Sequence, residues 1–141
     1  MTQSARVLVA SSDLENGHSL KKLLVECGID SAVVTSLEEA RVLLAKETIS
    51  LMICDAQLTG GGFRELLQSA ESTKIPVVVA SRLPDTREYL EAMRLGAFDF
   101  IASPYRRVEM QQIVSNALRQ AMAAGRAALN SHQRRGIPAA T

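Results

Sequence analysis

Five short apolar runs, separated by amphipathic segments, constrain the fold of this chain more than any other feature. Hydrophobic residues follow one another within the runs instead of alternating with polar ones, which is typical of strands buried on both faces. The runs cover residues 6–10, 31–34, 51–54, 76–80 and 98–102. Strands that alternate with helices form a parallel sheet with helices on both sides. The sequence therefore predicts an α/β fold with a doubly wound five-stranded parallel sheet, whose core includes Val7, Leu8, Val9, Val33, Ile53, Val77, Val78, Val79 and Ile101.

Helix signals occupy the segments between the runs. Residues 14–27 have leucines at helical spacing and are followed by Gly28, where a left-handed cap is expected. Ser36 and Glu39 have the spacing of a capping box, which predicts the start of a second helix. The inner face of that helix is expected to comprise Ala40, Leu43 and Leu44.

Three more helices are predicted after the third run. Residues 63–70 have the weakest helix signal, whereas Asp85 and Glu88 repeat the capping-box spacing before a helix that ends at Gly96. The last helix is expected to run from about residue 106 to about residue 129. It should bury Val108, Ile113, Val114 and Leu118, or their neighbours.

The length and composition of the chain are those expected of one small soluble domain. A chain of 141 residues has room for a single core, and we expect this domain at residues 4–123, followed by a helix extension and a flexible tail at 124–141. A net charge of +1 does not favour binding to nucleic acid. No apolar run approaches the roughly 20 residues of a membrane span, and no signal peptide is evident, so we expect a cytoplasmic protein. Cys27 and Cys54 lack metal-ligand spacing and are expected to be free, mostly buried thiols.

Polar side chains follow four of the predicted strands. In an open parallel sheet, ligands collect at the carboxyl ends of the strands, where the strand order changes direction. The residues at these exits are Ser11, Ser12 and Asp13 after the first strand, Asp55 after the third, Ser81 and Arg82 after the fourth, and Ser103 and Pro104 after the fifth.

The segments LMICDAQLTGGGF, IPVVVAS and GAFDFIASPY, in this order, resemble the response-regulator receiver family, whose minimal member is the chemotaxis regulator. The resemblance covers about residues 5–122. It implies a flavodoxin-like (CheY-like) three-layer α/β/α fold with strand order 2-1-3-4-5. It also implies a signalling module and not an enzyme.

The resemblance assigns roles to four residues. Asp55 corresponds to the phosphorylated aspartate, and Gln57 to the position whose backbone carbonyl helps to hold magnesium. Ser81 matches the switch hydroxyl that bonds the phosphoryl group. Phe100 matches the aromatic residue whose rotamer reports that bond.

Three positions depart from the family pattern. Ser11 and Ser12 stand where the family has an acidic pair, and Ser103 stands where it has a lysine before proline. Phosphoryl transfer to a carboxylate depends on cations that neutralise the phosphoryl oxygens, so magnesium, held by Asp55 and the Gln57 carbonyl, is expected to bind weakly or not at all. Arg82 is a candidate charge substitute; it could instead cover the entrance and pair with unmodified Asp55, or be solvated.

Two versions of a signalling module remain open, together with one rival. The module is either a pseudo-receiver that acts through protein contacts, which the substitutions favour, or a phospho-acceptor driven by a histidine kinase. Its expected partners are a sensor kinase or another signalling protein, or a second copy through the fourth helix, fifth strand and fifth helix, without nucleic acid or membrane. The rival is a flavodoxin-like protein in which Ser11, Ser12 and residues 16–17 cradle a flavin phosphate. Asp13 is expected to cap the first helix, with a displaced site carboxylate as the less favoured role.

Overall fold

The computed structural model describes residues 6–56, 58, 62–71, 74–82 and 86–136, and side chains as far as residue 123. Strands and helices alternate along this part of the chain, as the apolar runs predict. The elements are β1 (Arg6–Ala10), α1 (Leu14–Glu26), β2 (Asp30–Val34), α2 (Leu37–Lys46), β3 (Leu51–Asp55), α3 (Phe63–Glu71), β4 (Val77–Ser81), α4 (Thr86–Arg94), β5 (Asp99–Ala102) and α5 (Arg107–Gly136). Among the described residues, no helix is both long and apolar enough to cross a bilayer.

The five strands form one parallel sheet in the order β2-β1-β3-β4-β5. This order confirms the fold that the resemblance implies. Backbone hydrogen bonds extend the pairing one residue past the strand ends, from Ser11 to Val34, from Ala56 to Ala80 and from Ser103 to Ser81. The residues that leave the strands are therefore aligned along one edge of the sheet.

The core has two halves, one on each face of the sheet. Successive strand residues point to opposite faces, so that Leu8 belongs to one half and Val7 and Val9 to the other. The predicted core residues are buried, apart from Val33, which is only partly buried against α1. Because β2 is an edge strand, fewer elements cover it.

The predicted caps are found where their residues are described. Ser36 accepts a hydrogen bond from the Glu39 backbone at 3.2 Å. Gly28 and Gly96 have φ angles of +76° and +102°, which suit glycine in a left-handed helix end. Asp85 lies outside the described residues.

Two expectations for α5 are wrong. Val108 is 73% exposed, because it lies about 200° around the helix from Met110, which with Ile113, Val114 and Ala117 forms the buried stripe. The helix also continues past residue 129, at least as far as Gly136, which is the last residue that the structure describes.

Candidate functional site

Asp55 is the last residue of β3 and is only 2% exposed. Its Oδ2 atom accepts a hydrogen bond from the Ser11 hydroxyl at 2.9 Å and another from the Asn16 amide nitrogen at 3.0 Å. Both donors are buried. Because a carboxylate only accepts hydrogen bonds, the nitrogen of the Asn16 amide faces it and the amide oxygen does not. This buried network stabilises Asp55 without a second carboxylate nearby in β1.

Asn16 is the residue of this network that the sequence did not indicate as a partner of Asp55. It lies in the first turn of α1, three residues after the N-cap Asp13, whose Oδ1 atom accepts a hydrogen bond from the Asn16 backbone at 3.0 Å. The neighbouring Gly17 allows α1 to approach the sheet, since a Cβ atom there would lie 3.0 Å from a Val33 methyl group. An asparagine shortly after a strand exit, in the first turn of a predicted helix, is the sequence signal that could have found it.

Arg82 connects two carboxylates at the same edge. Its Nη1 atom lies 2.7 Å from Asp13 Oδ2, and its Nη2 atom lies 3.8 Å from Asp55 Oδ2. Asp13 therefore caps α1 with one oxygen and pairs with arginine through the other. Arg82 directly follows β4, so its guanidinium links this end of β4 to the β1–α1 connection and to the end of β3.

The other predicted site residues surround this cluster. Ser81 is buried at the end of β4, one residue beyond Ala80, the pairing partner of Asp55. Ser12 is half-buried. Ser103 is exposed, follows β5 through a cis bond to Pro104, and lines an open groove of about 600 Å³ together with Arg82, Asp13 and Asn16. Gln57 lies outside the described residues.

Phe100 packs away from the cluster. Its ring meets the Tyr89 ring of α4 edge to face, with the centroids 5.6 Å apart and the planes at 83°. Such aromatic pairs contribute beyond the area they bury. The residue at the predicted switch position therefore connects β5 directly to α4.

Two neighbouring groups titrate above their usual ranges. Burial raises the pKa of the Cys54 thiol well above its usual value, and the nearby Asp55 and Glu65 carboxylates raise it further. Burial also raises the pKa of Tyr105; Asn16 lowers it and Asp55 raises it by smaller amounts. The Tyr105 hydroxyl is buried and makes no hydrogen bond within the described part of the chain. Both groups remain protonated near neutral pH.

A family model for the response regulator receiver domain matches residues 7–115, which are more than half of the chain. The chain therefore belongs to the response regulator receiver domain family, which defines a two-component signalling module and not a classical enzyme. This membership favours the receiver interpretation over a flavin-binding one. Ser11 and Asn16, proposed as parts of the flavin cradle, bind Asp55 instead.

Similar proteins include the response regulator protein PilR of Pseudomonas aeruginosa, which is 26% identical over 116 residues that cover 81% of this chain and 26% of PilR. A response regulator receiver protein of Pseudomonas putida has a similar crystal structure, with a TM-score of 0.73, 26% identity and coverage of 82% of this chain and 99% of that one. HP1043, an orphan response regulator of H. pylori, has a TM-score of 0.69 and 25% identity, with coverage of 82% and 97%. The chain spans between 25% and 60% of the first curated relatives that it matches.

Receiver domains typically bind magnesium, but the donors around Asp55 do not fit this ion. Magnesium requires oxygen ligands in nearly octahedral geometry. Here the Asn16 amide nitrogen and the Arg82 guanidinium face the carboxylate. Across the part of the chain that the structure describes, no three His, Cys, Asp or Glu side chains form a group suited to a metal ion.

Proposed function

We propose that this chain is a pseudo-receiver, a receiver module that acts through protein contacts in its unphosphorylated state. The observation that carries this proposal is the engagement of Asp55 Oδ2 by Ser11, Asn16 and Arg82. A phosphoryl group arriving there would have to displace these contacts. No acidic pair stands at residues 11 and 12 to bring a divalent cation, and no lysine stands at residue 103.

Electrostatics favours slow phosphorylation for the same reason. Phosphorylation adds about 1.5 to 2 negative charges. Ser11, Ser81 and Ser103 supply only neutral hydroxyl donors, which carry no positive charge to balance the added negative charge. Arg82 is already paired with Asp13. Magnesium at Asp55 and the Gln57 carbonyl should accordingly bind weakly or not at all.

The alternative is a phospho-acceptor on Asp55 that a sensor histidine kinase drives. The position of Arg82 supports this alternative, since its Nη2 atom lies 3.8 Å from Asp55 Oδ2 and a cation there could meet a phosphoryl oxygen. The buried Ser81 hydroxyl would be the switch group, and Phe100 would transmit the change to α4. The sensor kinase is then the partner, whereas the pseudo-receiver needs only its output partner.

We assign the partner surface to α4, β5 and α5. Large apolar side chains are exposed there, at Tyr89 and Leu90 on α4, at Leu95 just after it and at Val108 on α5. Apolar side chains grouped at a surface are typical of protein interfaces. The occupant is another signalling protein or a second copy of this chain. We assign residues 4–123 to the receiver unit and 124–141 to a helical extension and tail.

Incubation with acetyl phosphate and magnesium tests the two versions. Wild type, Asp55→Ala and Arg82→Ala are compared by intact mass. The pseudo-receiver predicts no stoichiometric phosphoryl increment in wild type. Rapid modification of wild type that is absent from Asp55→Ala would establish the phospho-acceptor instead, and its loss in Arg82→Ala would identify Arg82 as the required cation.

A further inference from the structure

We propose that Arg82 is a resident cation, whose guanidinium occupies the place between Asp13 and Asp55 where a divalent ion would otherwise bind. Removing the guanidinium should therefore open a divalent-cation site made of these two carboxylates. This inference deepens the proposed function and rests on it for the claim that Asp55 works without bound metal. It uses a carboxylate one residue beyond the positions of the missing acidic pair.

The guanidinium of Arg82 contacts both carboxylates. The Arg82 nitrogens Nη1 and Nη2 belong to one rigid planar group, and they contact Asp13 Oδ2 at 2.7 Å and Asp55 Oδ2 at 3.8 Å. Both carboxylate oxygens therefore lie within 4 Å of the same guanidinium. The guanidinium lies between them and supplies the positive charge.

Both carboxylates are held by hydrogen bonds that do not involve Arg82. Asp13 is fixed by its role as N-cap, since its Oδ1 atom accepts the Asn16 backbone hydrogen bond at 3.0 Å. Asp55 is fixed by the hydrogen bonds from Ser11 and the Asn16 side chain. Neither anchor depends on Arg82. Both carboxylates should thus stay in place after truncation of the arginine.

Charge and exposure favour a divalent cation once the guanidinium is removed. Without the guanidinium, two negative charges face each other beside the buried end of β3, where solvent screens Asp55 poorly. Asp13 and Arg82 have 35% and 41% exposed side chains, which leaves a route for a hydrated ion. Magnesium and manganese bind to one or two carboxylates while keeping several waters. The opened site has this composition.

Manganese alone is the probe, and electron paramagnetic resonance measures its free concentration. The proteins compared are wild type, Arg82→Ala, the near-isosteric Arg82→Gln and the double variant Arg82→Ala/Asp13→Asn. Arg106→Ala is the control, because it removes one positive charge from another exposed position. Circular dichroism establishes that each variant is folded. We expect both single Arg82 variants to bind manganese at least about tenfold more tightly than wild type, and the Asp13→Asn double variant to lose this gain.

Equal manganese affinity in wild type and the folded Arg82 variants would overturn the inference. So would a gain that persists in the double variant, since Asp13 would then not be a ligand. A similar gain in manganese affinity in Arg106→Ala would show that the effect comes from net charge alone, and it would also overturn the inference. Phosphorylation of wild type by acetyl phosphate, a separate measurement by mass, overturns the proposed function and leaves this order of metal affinities unchanged.

Discussion

The Asn16 amide nitrogen donates a hydrogen bond to Asp55 Oδ2 across 3.0 Å, and this contact joins residues 39 positions apart in the chain. Asn16 is buried at the start of α1, and its backbone is held by Asp13. An amide from a helix thus stabilises the buried carboxylate at the end of β3. The contact has a measurable energetic consequence.

Asn16→Ala should destabilise the fold by about 1–3 kcal/mol, since it removes a buried donor to a charged acceptor. The better helix propensity of alanine offsets only a few tenths of a kcal/mol. Urea unfolding measures the change. His18→Ala is the matched control, because His18 is exposed on the same helix, and it should change stability by less than about 0.5 kcal/mol. Equal effects of the two substitutions would mean that the Asn16–Asp55 contact contributes nothing to stability.

The fold could be predicted from the sequence because its signals are local. The apolar run at residues 6–10 indicates a buried strand, and the glycine at position 28 indicates a left-handed helix end. Neither signal depends on distant parts of the chain. The strand order came from resemblance, since periodicity contains no information on which strands are neighbours. The prediction that Val108 is buried was wrong, because the position of the buried stripe on a helix depends on where the helix meets the sheet.

The site could be predicted only in outline. Asp55, Ser11 and Arg82 each follow a strand, so their shared edge was predictable from the fold alone. The Arg82–Asp13 pair joins residues 69 positions apart and depends on side-chain rotamers at that edge. The sequence indicates a role for Asn16 only in the flavin alternative, because a polar residue after the first strand fits either a ligand or a buried carboxylate.

The two cysteines should differ in reactivity toward Ellman's reagent. Cys54 is fully buried, and burial followed by the Asp55 charge raises its pKa, so little thiolate forms in the folded protein. Burial and the neighbouring Glu26 also raise the pKa of Cys27, but this residue is only half-buried. We expect slow labelling of Cys27 in native buffer and labelling of Cys54 only in denaturant. Cys27→Ser should make the native protein unreactive, and fast native labelling of that variant would mean that β3 opens readily.

The ion pair between Arg64 of α3 and Glu91 of α4 should make stability depend on acid pH. Arg64 donates to both Glu91 oxygens, with Nε at 2.8 Å from Oε2, and this hydrogen bonding lowers the pKa of Glu91 below its usual 4.5. A carboxyl group with a lowered folded pKa stabilises the fold above its unfolded pKa and loses this contribution as the pH falls through the folded value. The stability advantage of wild type over Glu91→Gln should therefore be present at neutral pH and vanish on acidification below 4.5.

Urea midpoints measured from neutral to acid pH check this expectation. Glu71→Gln is the control, since Glu71 is exposed at the end of α3. Its difference from wild type should change less with pH. A wild-type advantage over Glu91→Gln that is independent of pH would show that the pair does not stabilise the charged carboxylate.

Ser11→Asp places a carboxylate at the fully buried position where, by the resemblance, the family has the first residue of its acidic pair. The substitution replaces a hydroxyl that donates to Asp55 Oδ2 at 2.9 Å with a group of like charge. Two such charges about 4 Å apart repel by roughly 4 kcal/mol at an effective dielectric of 20. The variant should therefore be several kcal/mol less stable than wild type in the absence of divalent ions.

Magnesium should recover much of this loss, because an ion that binds only the folded state raises the free energy of unfolding by mass action. The melting temperature of Ser11→Asp should rise with millimolar magnesium, whereas that of wild type should not change. Ser115→Asp, which adds the same charge on the exposed side of α5, separates this effect from general screening by salt and should respond as wild type does. If Ser11→Asp is as stable as wild type in a chelator and indifferent to magnesium, the added carboxylate has turned away from Asp55. In that case the serine at position 11 does not account for the weak magnesium binding that we propose.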